Sequence, residues 1–306
     1  SKQRAAESVK PGSNTLLGIG LMVMAMIILP FLDFCAKALI VDGMSPFQVV
    51  WSRLFFGSLI TLPFLLRQEG PEAVMPNLPF MHSIRAALLV GATACFFAAL
   101  HYQAVATTLA IFFVQPLVTT VLSPFVLGEQ LRWQRALAAV IGFVGTLVII
   151  RPGFKELNPG VFLALASGVM LSFYMMLTRK IQGRGSAIMT NFHTNFLGVL
   201  MLSAFVWLVW MWPSPQEWLL MFGVGVIAST GHFLVIRAFD HAEASLLAPF
   251  AYTEMITSVL GGWYFFSEFP DSWTFAGVGI LVATAIAMSL EERRRSSKEF
   301  VDFEQP

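Results

Sequence analysis

Charge is scarce in this sequence: Asp, Glu, Lys and Arg make up 12% of its 306 residues, against roughly a quarter in a soluble domain. Too few charged side chains are present to cover a water-exposed surface. The net charge of +1 and the confinement of charge to short connectors exclude a nucleic-acid binder. Cysteine is nearly absent as well. Cys35 and Cys95 both fall inside apolar stretches, so neither a disulfide framework nor redox chemistry is implied. The sequence contains no HExxH, no GxSxG, no CxxC and no Walker A phosphate loop. Those absences argue against an integral-membrane enzyme and against ATP use by this chain itself. No cofactor and no metal site is expected.

What the chain has instead is apolar length. Hydrophobic residues make up 57% of it and the mean hydropathy is +0.72, which a soluble core could not hide. A helix needs about 20 largely apolar residues to cross a bilayer. Ten stretches qualify: Thr15–Leu39, Pro46–Leu66, Pro79–Leu100, Ala104–Leu127, Trp133–Ile150, Leu157–Thr178, Ala187–Met211, Trp218–Ala238, Ala244–Phe266 and Trp273–Leu290. The third and fifth carry Arg85 and Arg135 in their first turns. The first is too long for a signal-peptide core and lacks a small-residue cleavage site, so it is expected to be retained. An all-α integral membrane bundle follows, with tails at 1–14 and 291–306.

Basic residues set the expected orientation. With the N-terminus in the cytoplasm, Lys2, Arg4, Lys10, Arg67, Arg85, Arg132, Arg135, Arg179, Lys180, Arg184, Arg237, Arg293, Arg294, Arg295 and Lys298 fall on the cytoplasmic side. Only Arg151 and Lys155 fall outside, and such asymmetry is what fixes topology. Both termini are then cytoplasmic. Trp207, Trp210, Trp212, Trp218, Trp263 and Trp273 cluster beside the outer connectors, as an interfacial aromatic belt does.

One segment occurs twice. Ala104–Gln130 and Ala242–Phe269 both open on small residues, carry a helix-interior proline (Pro116, Pro249) and end at a glutamate (Glu129, Glu268). With ten spans, the chain divides into five-helix halves at 15–151 and 157–290, inserted upside down relative to each other. Inverted repeats of this kind accompany alternating access in secondary transporters, with the substrate site at the repeat interface. Simple duplication into a larger helical protein is the plainer alternative.

These features are similar to those of the drug/metabolite transporter superfamily, specifically its ten-helix EamA-type members, including the YddG-like amino-acid exporters. The resemblance rests on Ala104, Ala106 and Thr107 followed by Pro116 and Leu127-Gly128-Glu129, on Ala242, Ala244, Ser245, Pro249 and Glu268, and on Phe47 through Arg53 to Phe56. It covers nearly the whole chain. The resemblance implies a multi-pass protein of the bacterial inner membrane that exports small organic solutes, with threonine, methionine or aromatic amino acids as the expected cargo. A nucleoside-like or S-adenosylmethionine-like metabolite is the alternative. The second copy departs from the pattern in having Glu254 where the first has Pro116.

Ionisable groups within spans are expensive, about 2.5–3.5 kcal/mol at a helix centre on insertion scales, so each needs a partner or a function. Asp33 and Lys37 lie four apart on one helical face and could either neutralise each other or meet a charged substrate group. Arg53 could bind a substrate carboxylate in bidentate geometry, or equally backbone carbonyls or a lipid phosphate. Glu254 could carry a coupling proton, meet an ammonium group, or simply bond a neighbouring helix. Glu129 and Glu268 sit at helix ends and read as caps. His193 and His232 read as interior groups without metal-ligand spacing.

Broken helices at Pro116 and Pro249 point to the cavity, because freed carbonyls are tolerated only where other groups satisfy them. The expected substrate-binding set is therefore Arg53, Tyr102, Gln115, Pro116, His232, Tyr252 and Glu254, with Glu254 and Asp33 as candidates for proton coupling. The 29 Phe and 15 Met residues read either as cavity lining or as lipid contact and packing. Gly142, Gly145, Gly277 and Gly279 suggest close packing of the fifth and tenth spans, either within the chain or across a dimer. The partners expected are a small-molecule substrate and the lipid bilayer, the protein being a monomer or weak homodimer.

Overall fold

A computed structural model describes residues 15–128, 133–151, 156–181, 183–241, 250 and 253–303. Eleven helices appear among them. They are α1 (Thr15–Val41), α2 (Pro46–Glu69), α3 (Pro79–Ala99), α4 (Val105–Phe112), α5 (Gln115–Leu127), α6 (Trp133–Ile150), α7 (Pro159–Lys180), α8 (Ala187–Ser203), α9 (Pro215–His241), α10 (Thr253–Phe266) and α11 (Ser272–Phe303). Five of them, α1, α2, α3, α7 and α9, are long and apolar enough to cross a membrane. The readings attached to Glu129, Lys155, Ala242, Ala244, Ser245, Pro249 and Tyr252, and to the side chain of Pro116, lie outside the described residues.

Local chemistry sets the ends. Ser45 accepts from the Phe47 amide at 3.3 Å and Pro46 opens α2, a position where the missing N–H does no harm. Ser186 does the same for α8, accepting from Met189 at 3.3 Å, and Asp271 caps α11 through the Thr274 amide at 2.9 Å. Gly128 closes α5 at φ +69, in the left-handed region that glycine enters freely.

The seventh expected span is shorter than its apolar run. α8 stops at Ser203, and the chain turns through a 3-10 segment at Val206–Leu208. The buried Gln48 amide holds this turn by accepting from the Met211 N–H at 2.9 Å and donating to its carbonyl at 2.8 Å. Trp51, Trp210, Trp212 and Trp218 gather there, with the Trp51–Trp210 rings 5.2 Å apart.

The fourth expected span is broken where its proline predicts. α4 ends at Phe112, Phe113 and Val114 turn, and α5 begins with Gln115 and Pro116. α7 braces the break: Ser172 donates to the Gln115 carbonyl at 2.8 Å. A Cβ on Gly168 would stand 3.1 Å from the Phe112 carbonyl and 2.7 Å from a Val114 methyl, so only glycine lets α7 approach this closely.

Packing interleaves the two halves of the chain. α1 lies against α9 and α10, α7 against α3, α4 and α5, α2 against α8, and α6 against α11. The main core runs through these contacts, with Leu39, Leu54, Phe97, Leu109, Leu202 and Met221 all 2% exposed or less, and a smaller cluster of Met22, Ala25, Met26 and Ala238 lies between α1 and α9. The α6–α11 seam settles the glycine question in favour of an intra-chain contact: a Cβ on Gly277 would meet the Gly145 carbonyl at 2.7 Å. Gly142 instead packs on Leu117, and Gly279 touches nothing. The outside of the bundle is apolar all round, as at Phe125 (82% exposed), Phe162 (60%) and Tyr264 (80%). Water would not tolerate such a surface, whereas acyl chains match it.

Candidate functional site

Inter-helix bonds define two ends of the bundle. At one, Lys37, Gln103, Arg151, Ser203, Met211 and Glu268 meet; at the other, Ala73, Asn77, Thr178, Arg184 and His193 do. Between them lies a polar cluster. Asp33 is about 12 Å down α1 from the Lys37 end, Arg53 about 10 Å down α2 and Glu254 about 18 Å down α10, at 1.5 Å per residue. The Arg53 side chain extends to α3 and α9: Nη1 donates to Thr93 Oγ1 at 3.4 Å and Nη2 to His232 Nε2 at 3.1 Å. A guanidinium can only donate, so Nε2 is the acceptor and the His232 imidazole is neutral. His232 shares its helix face with the buried Met221 and Ala228, yet is itself exposed, so this face opens at the cluster.

Asp33 lies within electrostatic range of both Arg53 and Glu254. It is 7% exposed and makes no hydrogen bond or close ion pair among the described residues. Glu254 occupies the first turn of α10, where the helix dipole favours an anion. Pro116 holds the matching place in α5. Both residues suit a helix N-terminus, one by lacking a donor and the other by carrying negative charge.

The sequence had placed Asp33 and Lys37 as a candidate pair. In the structure Lys37 turns away and binds Glu268, with Nζ 2.5 and 2.7 Å from the two carboxylate oxygens. It also donates to the Gln103 carbonyl at 3.3 Å and sits 5.1 Å from the Phe266 ring. Glu268 is therefore more than a cap. Asp33 is left to the cluster. Arg151 and Asp271 form a second ion pair between the chain halves at the same end.

Of the expected site residues, Arg53, His232, Glu254 and Asp33 come together. Tyr102 does not: it is 49% exposed in the turn after α3, edge-on to His101. Gln115 bonds within its own helix, Nε2 donating to Thr119 at 3.1 Å. Three participants were not anticipated: Thr93, Tyr174 and Arg85. The last had been read as a flanking cation, but it is 1% exposed. All five of its donors are satisfied by neutral groups. Nε and Nη2 bond Thr178 at 3.0 and 2.9 Å, Nη1 bonds Thr194 at 2.8 Å and His82 Nδ1 at 3.0 Å, and Nη2 reaches the Tyr174 hydroxyl at 3.3 Å. Tyr174 interacts electrostatically with Arg53 as well, linking the two arginines. Spacing offered one clue, since Tyr174 and Thr178 share a face at i, i+4 in a largely apolar helix.

Such a bundle, apolar outside with a charged cluster between its helices, belongs to the class of multi-pass membrane proteins that handle small polar solutes. The chain is a member of the EamA-like transporter family, whose pattern matches it twice, at residues 16–151 and 158–290. It is thus a transporter of small metabolites within the drug/metabolite transporter superfamily, and not an enzyme. The S-adenosylmethionine uptake transporter of Rickettsia prowazekii is 29% identical over 253 residues, covering 82% of this chain and 86% of that one. A pseudopaline exporter of Pseudomonas aeruginosa is 24% identical over 244 residues, covering 79% and 85%. A protein crystal structure with 20% identity superposes with a TM-score of 0.63 over 92% of this chain and 98% of its own, a likeness of fold.

Proposed function

We propose that the protein carries amino-acid-like solutes across a bacterial inner membrane by alternating access, with Arg53 taking the solute carboxylate and Asp33 and Glu254 its positive charge. The observation that carries this reading is the Asp33–Arg53–Glu254 cluster, held between helices of both halves. Arg53 spends two donors on Thr93 and His232, which leaves three for a ligand. A planar carboxylate fits such a fork in bidentate fashion. Asp33 beside it, with Glu254 within range of Asp33, completes a site for a zwitterion.

The architecture behind this is ten spans in two inverted five-helix repeats, with both termini cytoplasmic. Supporting it, α1 and α3 run toward the Lys37 end, while their counterparts α7 and α9 run away from it. The Lys37 end is then the outer one, held shut by the Lys37–Glu268 and Arg151–Asp271 pairs. Methionine, threonine and aromatic amino acids are the first solutes to test, and direction follows the solute gradient. A second reading is favoured by the two acids and by the named cargo of the Rickettsia relative: an S-adenosylmethionine-like solute, which carries two cationic centres and one carboxylate.

Counterflow into proteoliposomes with labelled methionine, threonine, phenylalanine and S-adenosylmethionine tests the proposal. Exchange of at least one of these and its loss in Arg53→Gln are expected. Exchange of none, or full exchange by Arg53→Gln, would overturn it.

A further inference from the structure

Gly57 lies one turn beyond Arg53 on the same face of α2, about 16 Å along the helix from Pro46 and so near mid-bilayer. A Cβ there would have two neighbours within 4 Å, Asn195 Nδ2 from α8 and Ser229 Oγ from α9, each at 3.4 Å. Ser229 stands one turn before His232, which accepts from Arg53 Nη2, so this notch adjoins the Arg53 fork along two helices at once. Neither the Asn195 amide nor the Ser229 hydroxyl makes a hydrogen bond among the described residues, and both side chains are half-buried. The hydroxyls of Ser58, Thr61 and Thr194 are spent on carbonyls one turn back, those of Leu54, Gly57 and Thr190, at 2.7–2.8 Å. That route is open to any helical serine, and Ser229 does not take it. Unbonded polar groups at this depth are costly, so water or a ligand meets them.

Resting on the reading above, we propose that Asn195 and Ser229, set over the bare backbone of Gly57, form the subsite for the solute's side chain, and that it selects a hydroxyl or amide group over an apolar group of the same size. The Asn195 amide offers donors and an acceptor, and the Ser229 hydroxyl offers one donor and two lone pairs, so together they suit a group that both gives and takes a hydrogen bond. While the site is empty, water occupies that role. A solute hydroxyl or amide replaces the water bond for bond. An isosteric methyl displaces it and leaves both protein groups unpaired, and the discrimination arises from that loss. Glycine at position 57 keeps the approach open, because a Cβ would cover both polar atoms. Among the solutes named above, threonine moves ahead of methionine and phenylalanine.

Threonine and valine have nearly the same shape and differ by one hydroxyl, so competition between them in proteoliposome counterflow reads the subsite directly. Threonine is expected to outcompete valine by about tenfold, the worth of one hydrogen bond made in a buried site. Asn195→Leu should bring that ratio close to one. Gly57→Ala makes the same test without deleting a polar group: its methyl stands at ordinary contact distance, 3.4 Å from both atoms, so the protein folds, yet the amide and hydroxyl are capped and the ratio should fall likewise. Should Asn195→Leu not fold, Gly57→Ala and the wild-type ratio decide. Equal exchange of threonine and valine by the wild type, no threonine exchange in a carrier that moves other solutes, or a ratio still near tenfold in Gly57→Ala overturns the inference while leaving Arg53-dependent transport in place. Failure of counterflow with every aminocarboxylate overturns the underlying function together with it.

Discussion

Neutralising Glu268 should destabilise the protein more than removing Lys37, although the two form one ion pair. The Lys37 side chain is 5% exposed and that of Glu268 is 32% exposed. Glu268→Gln strands the ammonium with a carbonyl at 3.3 Å and an aromatic ring at 5.1 Å. Breaking a buried pair from one side costs about 3–5 kcal/mol. Those two residual contacts and the partial hydration of the pair reduce this to about 2–3 kcal/mol. Lys37→Met, by contrast, leaves a carboxylate that solvent reaches, at about 1 kcal/mol. The double variant should match Lys37→Met alone, because the stranded cation is gone. Thermal unfolding in detergent, followed by tryptophan fluorescence, should show a fall of about 5–10 °C for Glu268→Gln and about 2–4 °C for the other two. Additive losses in the double variant, or a larger loss for Lys37→Met, would refute the assignment of Lys37 as the buried end.

Other substitutions probe the packing. Gly277→Ala places a methyl 2.3 Å from Ile149 Cγ1 and 2.7 Å from the Gly145 carbonyl, so a loss of about 1–3 kcal/mol is expected in thermal melts, whereas Gly279→Ala meets nothing and should melt like the parent. Arg85→Lys keeps the charge but loses the planar fork, leaving at least two of the Thr178, Thr194, His82 and Tyr174 bonds unmade; about 3 kcal/mol of stability should go, read by denaturation in detergent. Gly168→Ala presses on the α4–α5 break, and the transport rate should fall with little change in the amount of folded protein, as measured by counterflow beside size-exclusion chromatography.

Helix positions were legible in the sequence because apolar length and proline placement are local signals. The break at Pro116 is an example: a missing N–H can be read without knowing any neighbour. Pairing was not legible. Lys37 has an acid four residues away on its own helix, yet its partner is Glu268, 231 positions further along, because α10 and its following turn pack against α1. Arg85 misled for a similar reason. A cation in the first turns of an apolar run looks interfacial until α7 and α8 supply hydroxyls around it. Span length was the other gap. The apolar run to Met211 extends past the end of α8, since Gln48 captures the Met211 backbone in a turn that no periodicity records.

The unlike openings of the two half-helices, proline in α5 and glutamate in α10, bear on energetics. A carrier made of two identical inverted halves would be degenerate: its inward-facing and outward-facing forms would be related by a two-fold axis and equal in free energy, populated evenly when empty. In the architecture proposed above, every difference between the halves would lift that degeneracy, and Glu254 opposite Pro116 is one that would do so through charge, since the group would meet a different environment in each form. The empty protein would then rest preferentially on one side of the membrane.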